Sequence, residues 1–224
     1  MNSDEAKLSA ARAAIAELPK EGTVGLGSGS TARIFIDEVG KLVAAGRKLV
    51  GVPTSEASRT QAAALGIPLL PDDGPWDIAL TVDGADEVDA SLNLIKGGGA
   101  AHTREKIVNY ASRRNVIIVD GSKMSKSLGE KWPVPVEVVV FAHLQTHKRL
   151  EEFGRPVLRQ KAGSVVRTDA GNVIYDVHAG EIRDPAALDR AMRAIPGVVE
   201  TGLFIGRADV VLVAEASGVR RLTR

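Results

Sequence analysis

The chain has 224 residues, 44% of them hydrophobic and 25% charged, enough for one large globular domain or a large domain with a small one. A formal net charge of +1 gives no bulk electrostatic case for binding nucleic acid or an anionic membrane, and no apolar run reaches membrane-spanning length. With no cysteine, disulfides, thiolate nucleophiles and zinc–thiolate sites are excluded.

The N-terminal segment is amphipathic, has acids early and lacks an apolar core before a cleavage site, so a soluble cytoplasmic protein is expected. Ser3 reads as a helix N-cap, with Asp4 and Glu5 in the first turn. Leu8, Ala11, Ile15 and Leu18 fall on one face, and Pro19 ends the helix. Lys7 lies on this helix, where spacing alone makes it a surface lysine.

Thr23-Val24-Gly25-Leu26 is a short strand running into Gly27-Ser28-Gly29-Ser30-Thr31-Ala32 and then a helix to about Gly46. Such a turn suits an anion: glycines let the backbone close in, and the first-turn N–H groups point at the ligand. It also fits the dinucleotide fingerprint G-x-G-x-x-A, but the next strand ends in Pro53-Thr54-Ser55, with no acid to hold a ribose. A phosphate ester therefore fits better than a dinucleotide, and a ligand-free tight turn remains the bland alternative. A helix from about Ser55, a third strand over 67–70 and a turn over 71–75 follow.

Ile78-Ala79-Leu80-Thr81-Val82 reads as a buried strand, and at its end come Asp83, Asp86, Glu87 and Asp89. Asp83 follows the apolar run directly and precedes a glycine, so it is partly desolvated yet reachable. Glu87 and Asp89 read as solvated turn residues. Leu92-Asn93-Leu94-Ile95 delivers Lys96, three glycines follow, and a helix starts with Arg104, Glu105 and Lys106. Acids, a lysine and a glycine turn are the parts needed to move a proton on a small anionic substrate. After the strand 115–119 comes Asp120-Gly121-Ser122-Lys123. Unbroken aliphatic strands alternating with helices predict a parallel sheet covered on both faces, with ligands outside the strands' carboxyl ends.

Beyond about residue 131 the pattern becomes roughly βαββαβ. Strands are expected over 136–141, 156–159, 164–168, 172–177 and 198–204, and helices over 142–153 and 185–194. A last strand over 209–214 is expected to rejoin the large sheet. His143 and His147 have metal-compatible i, i+4 spacing but lack a third ligand nearby, and no serine-hydrolase elbow exists.

The strings VGLGSGSTA, VDGADEVD, IKGGGAAHTREK and DGSK, in this order, resemble ribose-5-phosphate isomerases of the A type. The resemblance continues through KWPVPVEVV, TDAGNVIYDV, PGVVETGLF and RADVV, over essentially the whole chain. It implies a Rossmann-like catalytic domain over 1–131 and 207–224 with a small ferredoxin-like domain over 132–206. It also implies metal-free interconversion of ribose 5-phosphate and ribulose 5-phosphate in the pentose phosphate pathway, no cofactor, and a homodimer or homotetramer.

By the same resemblance Ser28, Gly29, Ser30 and Thr31 bind substrate, with Ser30, Thr31 and Lys123 near the phosphate and Lys7 matching a family lysine there. Asp83, Gly84, Ala85 and Asp86, with Lys96, Gly97, Gly98 and Gly99, line the sugar, and Glu105 takes the proton. Ser28 stands where the family commonly has threonine, and His102 where leucine is common. A deaminating amino-sugar isomerase, a sugar-phosphate sensor and an NAD enzyme are the alternatives.

Overall fold

The computed structural model describes residues 3–224. In chain order the elements are α1 (Ser3–Ile15), β1 (Gly22–Leu26), α2 (Ser30–Ala44), β2 (Leu49–Pro53), α3 (Glu56–Ala64) and β3 (Leu80–Asp83). Next come β4 (Glu87–Val88), β5 (Leu94–Ile95), α4 (His102–Ala111), β6 (Asn115–Asp120), β7 (Val134–Val138), α5 (His143–Leu150) and β8 (Arg155–Leu158). The chain closes with β9 (Gln160–Lys161), β10 (Ser164–Val165), β11 (Val173–His178), α6 (Pro185–Arg193), β12 (Val198–Thr201), β13 (Leu203–Phe204), β14 (Val210–Glu215) and β15 (Gly218–Thr223).

Two compact units result. The first is Met1–Ala85, Arg104–Lys123 and Arg207–Arg224; the second is Asp86–Thr103 and Met124–Gly206. The expected division at 131/132 assigned 86–103 and 124–131 to the large domain. Packing assigns them to the second unit, for identifiable reasons. β4 and β5 pair with β13 in a small sheet, and the backbone N–H groups of Gly129 and Lys131 donate to the Glu87 carboxylate at 2.8 and 3.0 Å.

Among the described residues the first unit carries a six-stranded sheet in the order β15-β14-β6-β3-β1-β2. All its neighbouring pairs are parallel except β14 with β15. The period-2 alternation of strands sends Val24, Leu26, Leu80, Val82, Val116, Ile118, Val210 and Leu212 to one face, where they pack with Phe35, Ile36 and Val39 of α2. On the other face Val52 and Ile78 meet Val108 of α4. Helices on both faces explain why these strands are nearly unbroken runs of aliphatic residues.

Three details of this unit depart from expectation. The segment 67–70 makes one bridge, Gly51 with Leu69, rather than a strand, since Pro68 has no N–H to give a ladder. The edge strand β15 was not anticipated. The side of α1 that meets the core is Ala6, Ala10, Ala11 and Ala14; of the expected face Ala11 and, just past the helix, Leu18 are buried, while Leu8 and Ile15 are only half-buried. Small side chains let the helix lie close to its neighbours. The proposed capping side chain of Ser3 lies outside the described residues.

An alanine methyl contributes roughly 0.8 kcal/mol on burial, against about 1.5–3 for leucine, so α1 is held by little apolar area per residue. Polar ties just past its end matter correspondingly more. Glu17 takes Arg221 Nε at 2.9 Å and Arg114 Nη2 at 2.6 Å. The Arg221 hydrogen bond leads in pulling its carboxyl below the ordinary 4.5; burial pushes the other way, and Arg114 adds to the lowering. A depressed carboxylate stabilises the fold above its unfolded value, and that contribution is lost as pH falls through the folded one. Glu17→Gln is therefore expected to lower the melting temperature at neutral pH by about 2–4 °C, for roughly 1 kcal/mol after solvent screening. The gap to the unsubstituted protein should close below about pH 4.5. A gap that stays constant from neutral pH to pH 3 in scanning calorimetry would remove the ion pairs as its cause.

The second unit has a four-stranded antiparallel sheet in the order β12-β7-β11-β8. Counting only its long strands in sequence, that is 4-1-3-2, the ferredoxin-like arrangement. Val134, Val136 and Val138 of β7 face a core with Leu150 of α5 and Met192 of α6. Asp184 caps α6, its Oδ1 accepting Ala187 N–H at 2.9 Å. The segment expected as a strand over 164–168 instead forms a two-stranded hairpin, β9 with β10, outside the four-stranded sheet.

Candidate active site

In the first unit β1 lies between β2 and β3, so the strand order reverses there. Open parallel sheets bind ligands in the crevice outside the carboxyl ends at such a point. The turn after β1 and the residue ending β3 meet closely. A Cβ on Gly27 would sit 2.3 Å from Asp83 Oδ1 and 2.6 Å from its Cα, so only glycine allows this approach. Asp83 is 3% exposed, and its Oδ1 accepts the N–H groups of Ser28 at 3.0 Å and Gly84 at 2.8 Å. The acid expected at the strand end is there, but buried rather than partly desolvated and reachable, and the same carboxylate shapes the loop before it.

Gly29, with φ of +94°, precedes α2 and has no side chain to cap it. The first-turn N–H groups thus stay available to an anion beside exposed Ser30 and half-buried Thr31. Ser28 turns its hydroxyl elsewhere: it meets Thr54 Oγ1 at 2.7 Å, Ser55 Oγ at 2.8 Å and Ser58 Oγ at 3.3 Å. Ser58 in turn donates to Gly27 O at 2.7 Å, and Ser55 caps α3. Sequence reasoning missed this hydroxyl cluster. Its signal was present in Thr54-Ser55 and Ser58 just after β2, counted only as the lack of an acid.

Lys123 ends a 3-10 turn after β6, half-buried, at the same carboxyl edge of the sheet. Lys7 lies on α1, Nζ 3.4 Å from Asp4 Oδ1. Glu105 sits in the first turn of α4, only 4% exposed. The body of that helix is fixed within the first unit. Thr81 and Ser112 hydroxyls are 2.5 Å apart, and Arg207 Nε donates to Asn109 Oδ1 at 2.9 Å. Arg104 Nη1 lies 2.6 Å from Glu56 Oε1 and holds that carboxyl below its ordinary value.

The second unit holds the other motif residues. Half-buried Asp86 accepts Gly98 N–H through Oδ2 at 2.7 Å. Gly97 has φ of +110°, which favours glycine, and a Cβ on Gly98 would come within 2.7 Å of Asp86 Oδ1, so a side chain there would push the carboxylate aside. Lys96 is 3% exposed, its Nζ lying 5.5 Å from the centroid of the Phe204 ring, within cation–π range. Buried His102 packs its ring on Gly97, with Nε2 3.3 Å from Glu200 O. Gly84 and Ala85 lead from Asp83 to Asp86 and are half-buried, whereas Gly98 and Gly99 are exposed.

Glu87 and Asp89 are not solvated, contrary to expectation. Glu87 is fully buried with its two backbone donors. Asp89 turns the chain by accepting Ser91 N–H at 2.9 Å and Asn93 N–H at 2.8 Å through Oδ1. A third buried acid, Glu137 of β7, was not singled out at all. It accepts hydroxyls of Thr103 and Thr168 and the Asn172 amide. Its partners are 31 to 35 residues away, so no local pattern points to them.

A Rossmann-like unit with a glycine-rich loop and a buried acid at its switch point, joined in the chain to an antiparallel α+β unit, is the build of a small-molecule enzyme. Comparison with known proteins narrows the class. The family model described as ribose 5-phosphate isomerase A (phosphoriboisomerase A) matches residues 50–218. The Bradyrhizobium diazoefficiens protein named ribose-5-phosphate isomerase A is 44% identical over 236 residues, covering 100% of this chain and 98% of that one. The structure of ribose 5-phosphate isomerase A from Methanocaldococcus jannaschii superposes with a TM-score of 0.93 at 41% identity, over 99% of each chain. A D-ribose-5-phosphate isomerase in complex with phospho-erythronic acid matches with a TM-score of 0.95 at 39% identity, over 100% of both chains. The chain belongs to the ribose 5-phosphate isomerase A family.

Proposed function

We propose that this protein interconverts D-ribose 5-phosphate and D-ribulose 5-phosphate through an enediolate, with Glu105 as the base. The observation that carries the reading is the full-length match to a ribose-5-phosphate isomerase solved with phospho-erythronic acid. A phosphorylated aldonate offers a phosphate at one end and a planar, negatively charged group at the other. An enediolate intermediate has the same two features.

The chemistry assigns a role to each element. The open-chain aldose loses its C2 proton to Glu105, and the electron pair moves through C1–C2 onto the carbonyl oxygen. The oxygen protons rearrange, and Glu105 returns its proton to C1, leaving the carbonyl at C2. General-base catalysis of this kind is worth ~10²–10⁴-fold. Lys96 and the N–H groups of the Gly97, Gly98, Gly99 turn stabilise the oxyanion. Asp83 and Asp86 move protons among the hydroxyls and open the furanose ring. The loop Ser28, Gly29, Ser30 and Thr31 binds substrate, with Ser30, Thr31 and Lys123 at the phosphate and Lys7 matching a family lysine there, and this end supplies binding energy remote from the reacting carbons.

The finer reading is a metal-independent enzyme of the non-oxidative pentose phosphate pathway, cytoplasmic, working as a homodimer or homotetramer. The second unit leaves Phe141 89% and Leu144 63% exposed, apolar surface of the kind that subunit contacts cover. Ketose formation from ribose 5-phosphate in EDTA, with deuterium entering from solvent at the reacting carbon, tests the chemistry. No turnover, or activity that disappears with the chelator, overturns the metal-free isomerase.

A further inference from the structure

We propose that Arg159 is a positioning residue for the reaction, acting through the Gly97–Gly98 peptide to hold the Asp86 carboxylate. The inference rests on the role given above to Asp86. Arg159 Nη1 donates to Gly97 O at 2.6 Å, with Gly98 O at 3.4 Å. On the same peptide plane, Gly98 N–H donates to Asp86 Oδ2 at 2.7 Å. In a trans peptide the carbonyl and the N–H point in opposite directions, so these two bonds grip one rigid plate from both ends.

Such a grip has a reason to exist here. The plate sits between glycines, and Gly97 is in the left-handed region with φ of +110°. Glycine barely resists rotation about φ and ψ, so nothing intrinsic to this turn keeps the Gly98 N–H aimed at Asp86. Arg159 supplies what the backbone lacks. It also draws electron density toward the Gly97 carbonyl, which makes the Gly98 N–H a stronger donor to the carboxylate. The arginine is itself fixed: its Nε lies 2.9 Å from Asp176 Oδ2, and its Nη2 pairs with Asp176 Oδ1 in a two-pronged ion pair. Its side chain is only 13% exposed and that of Asp176 19%. A partner pair this ordered costs little further entropy to hold the turn. Asp176 lies on β11, so the central strand pair of the second unit's sheet sets the orientation of a loop peptide.

The test compares Arg159→Gln, Arg159→Lys and Asp176→Asn in the full chain, with kcat, KM and thermal melting measured together. A misplaced group in an otherwise intact site lowers turnover on the order of 10²-fold. Arg159→Gln is expected to lower kcat by about that factor with KM changed less than about threefold. Arg159→Lys keeps a charged donor for Gly97 O and should recover about tenfold of the loss. Asp176→Asn should fall between them. The inference is overturned if Arg159→Gln retains kcat within about twofold, if its loss only tracks the fraction unfolded, or if lysine does no better than glutamine. The unsubstituted protein assayed beside them separates the two ideas. Its inactivity on ribose 5-phosphate sinks the isomerase reading, whereas an active parent with an indifferent Arg159→Gln sinks only this one.

Discussion

Glu105→Gln is expected to keep the fold and lose on the order of 10³-fold or more in turnover. The substitution preserves shape and removes the one property the mechanism uses, a carboxylate able to accept a carbon-bound proton. Glu105 is 4% exposed in the first turn of α4, a helix whose body is fixed by Val108 against Val52 and Ile78 and by the Ser112 hydroxyl on Thr81. An isosteric amide leaves those anchors untouched, so melting temperature should barely move. A 10³-fold loss corresponds to about 4 kcal/mol of transition-state stabilisation, more than one surface hydrogen bond supplies and within what general-base catalysis with its positioning supplies. Because the loss belongs to the transition state, it should appear in kcat with KM little changed. Near-normal turnover by the purified variant, or loss of exchange of solvent deuterium with turnover retained, would remove Glu105 as the base.

The parts of this fold that were legible in sequence are those whose signal is local. β6 and β14 are nearly unbroken aliphatic runs, β1 and β3 are short apolar stretches, and the Gly27 to Thr31 turn joins a strand to a helix. The polar residues at their ends could be placed because parallel strands bring all their carboxyl ends to one edge. What failed depends on distant partners or on residues with two readings. β4 and β5 are two-residue strands whose membership is decided by Leu203 and Phe204, more than a hundred residues on, so no local signal ties 86–103 to the second unit. β15 carries Arg220 and Arg221 and has no apolar alternation strong enough to announce an edge strand. Of the face expected for the first helix, Ala11 and Leu18 reach the core, while close approach adds Ala6, Ala10 and Ala14 to it and leaves Leu8 and Ile15 half-buried. Glu87 and Asp89 have the composition of a solvated turn, and only their backbone donors reveal them as buried structural acids.

Asp83 tethers the loop before it, the proposed mechanism also gives it protons to move, and two substitutions should separate the two roles. Asp83→Ala removes the oxygen that accepts Ser28 N–H and Gly84 N–H, so the anion loop loses its tether along with the acid. Leaving two such donors unmet costs about 1–3 kcal/mol each where water cannot reach them. The expected outcome is lower stability, weaker binding of the phosphate end seen as a raised KM, and a kcat loss of ~10²–10⁴-fold. Asp83→Asn keeps an oxygen at the same place. With its amide oriented toward the two N–H groups, it should restore the melting temperature and most of the KM. It carries no charge and takes no proton, so kcat should stay depressed by at least roughly 10²-fold. The close packing of Gly27 on Asp83 supports this division, since a side chain held that tightly cannot swing aside to let another group take its place. If Asp83→Asn regains the turnover of the unsubstituted protein, the carboxylate is a scaffold for the loop alone, and proton movement among the sugar hydroxyls falls to Asp86.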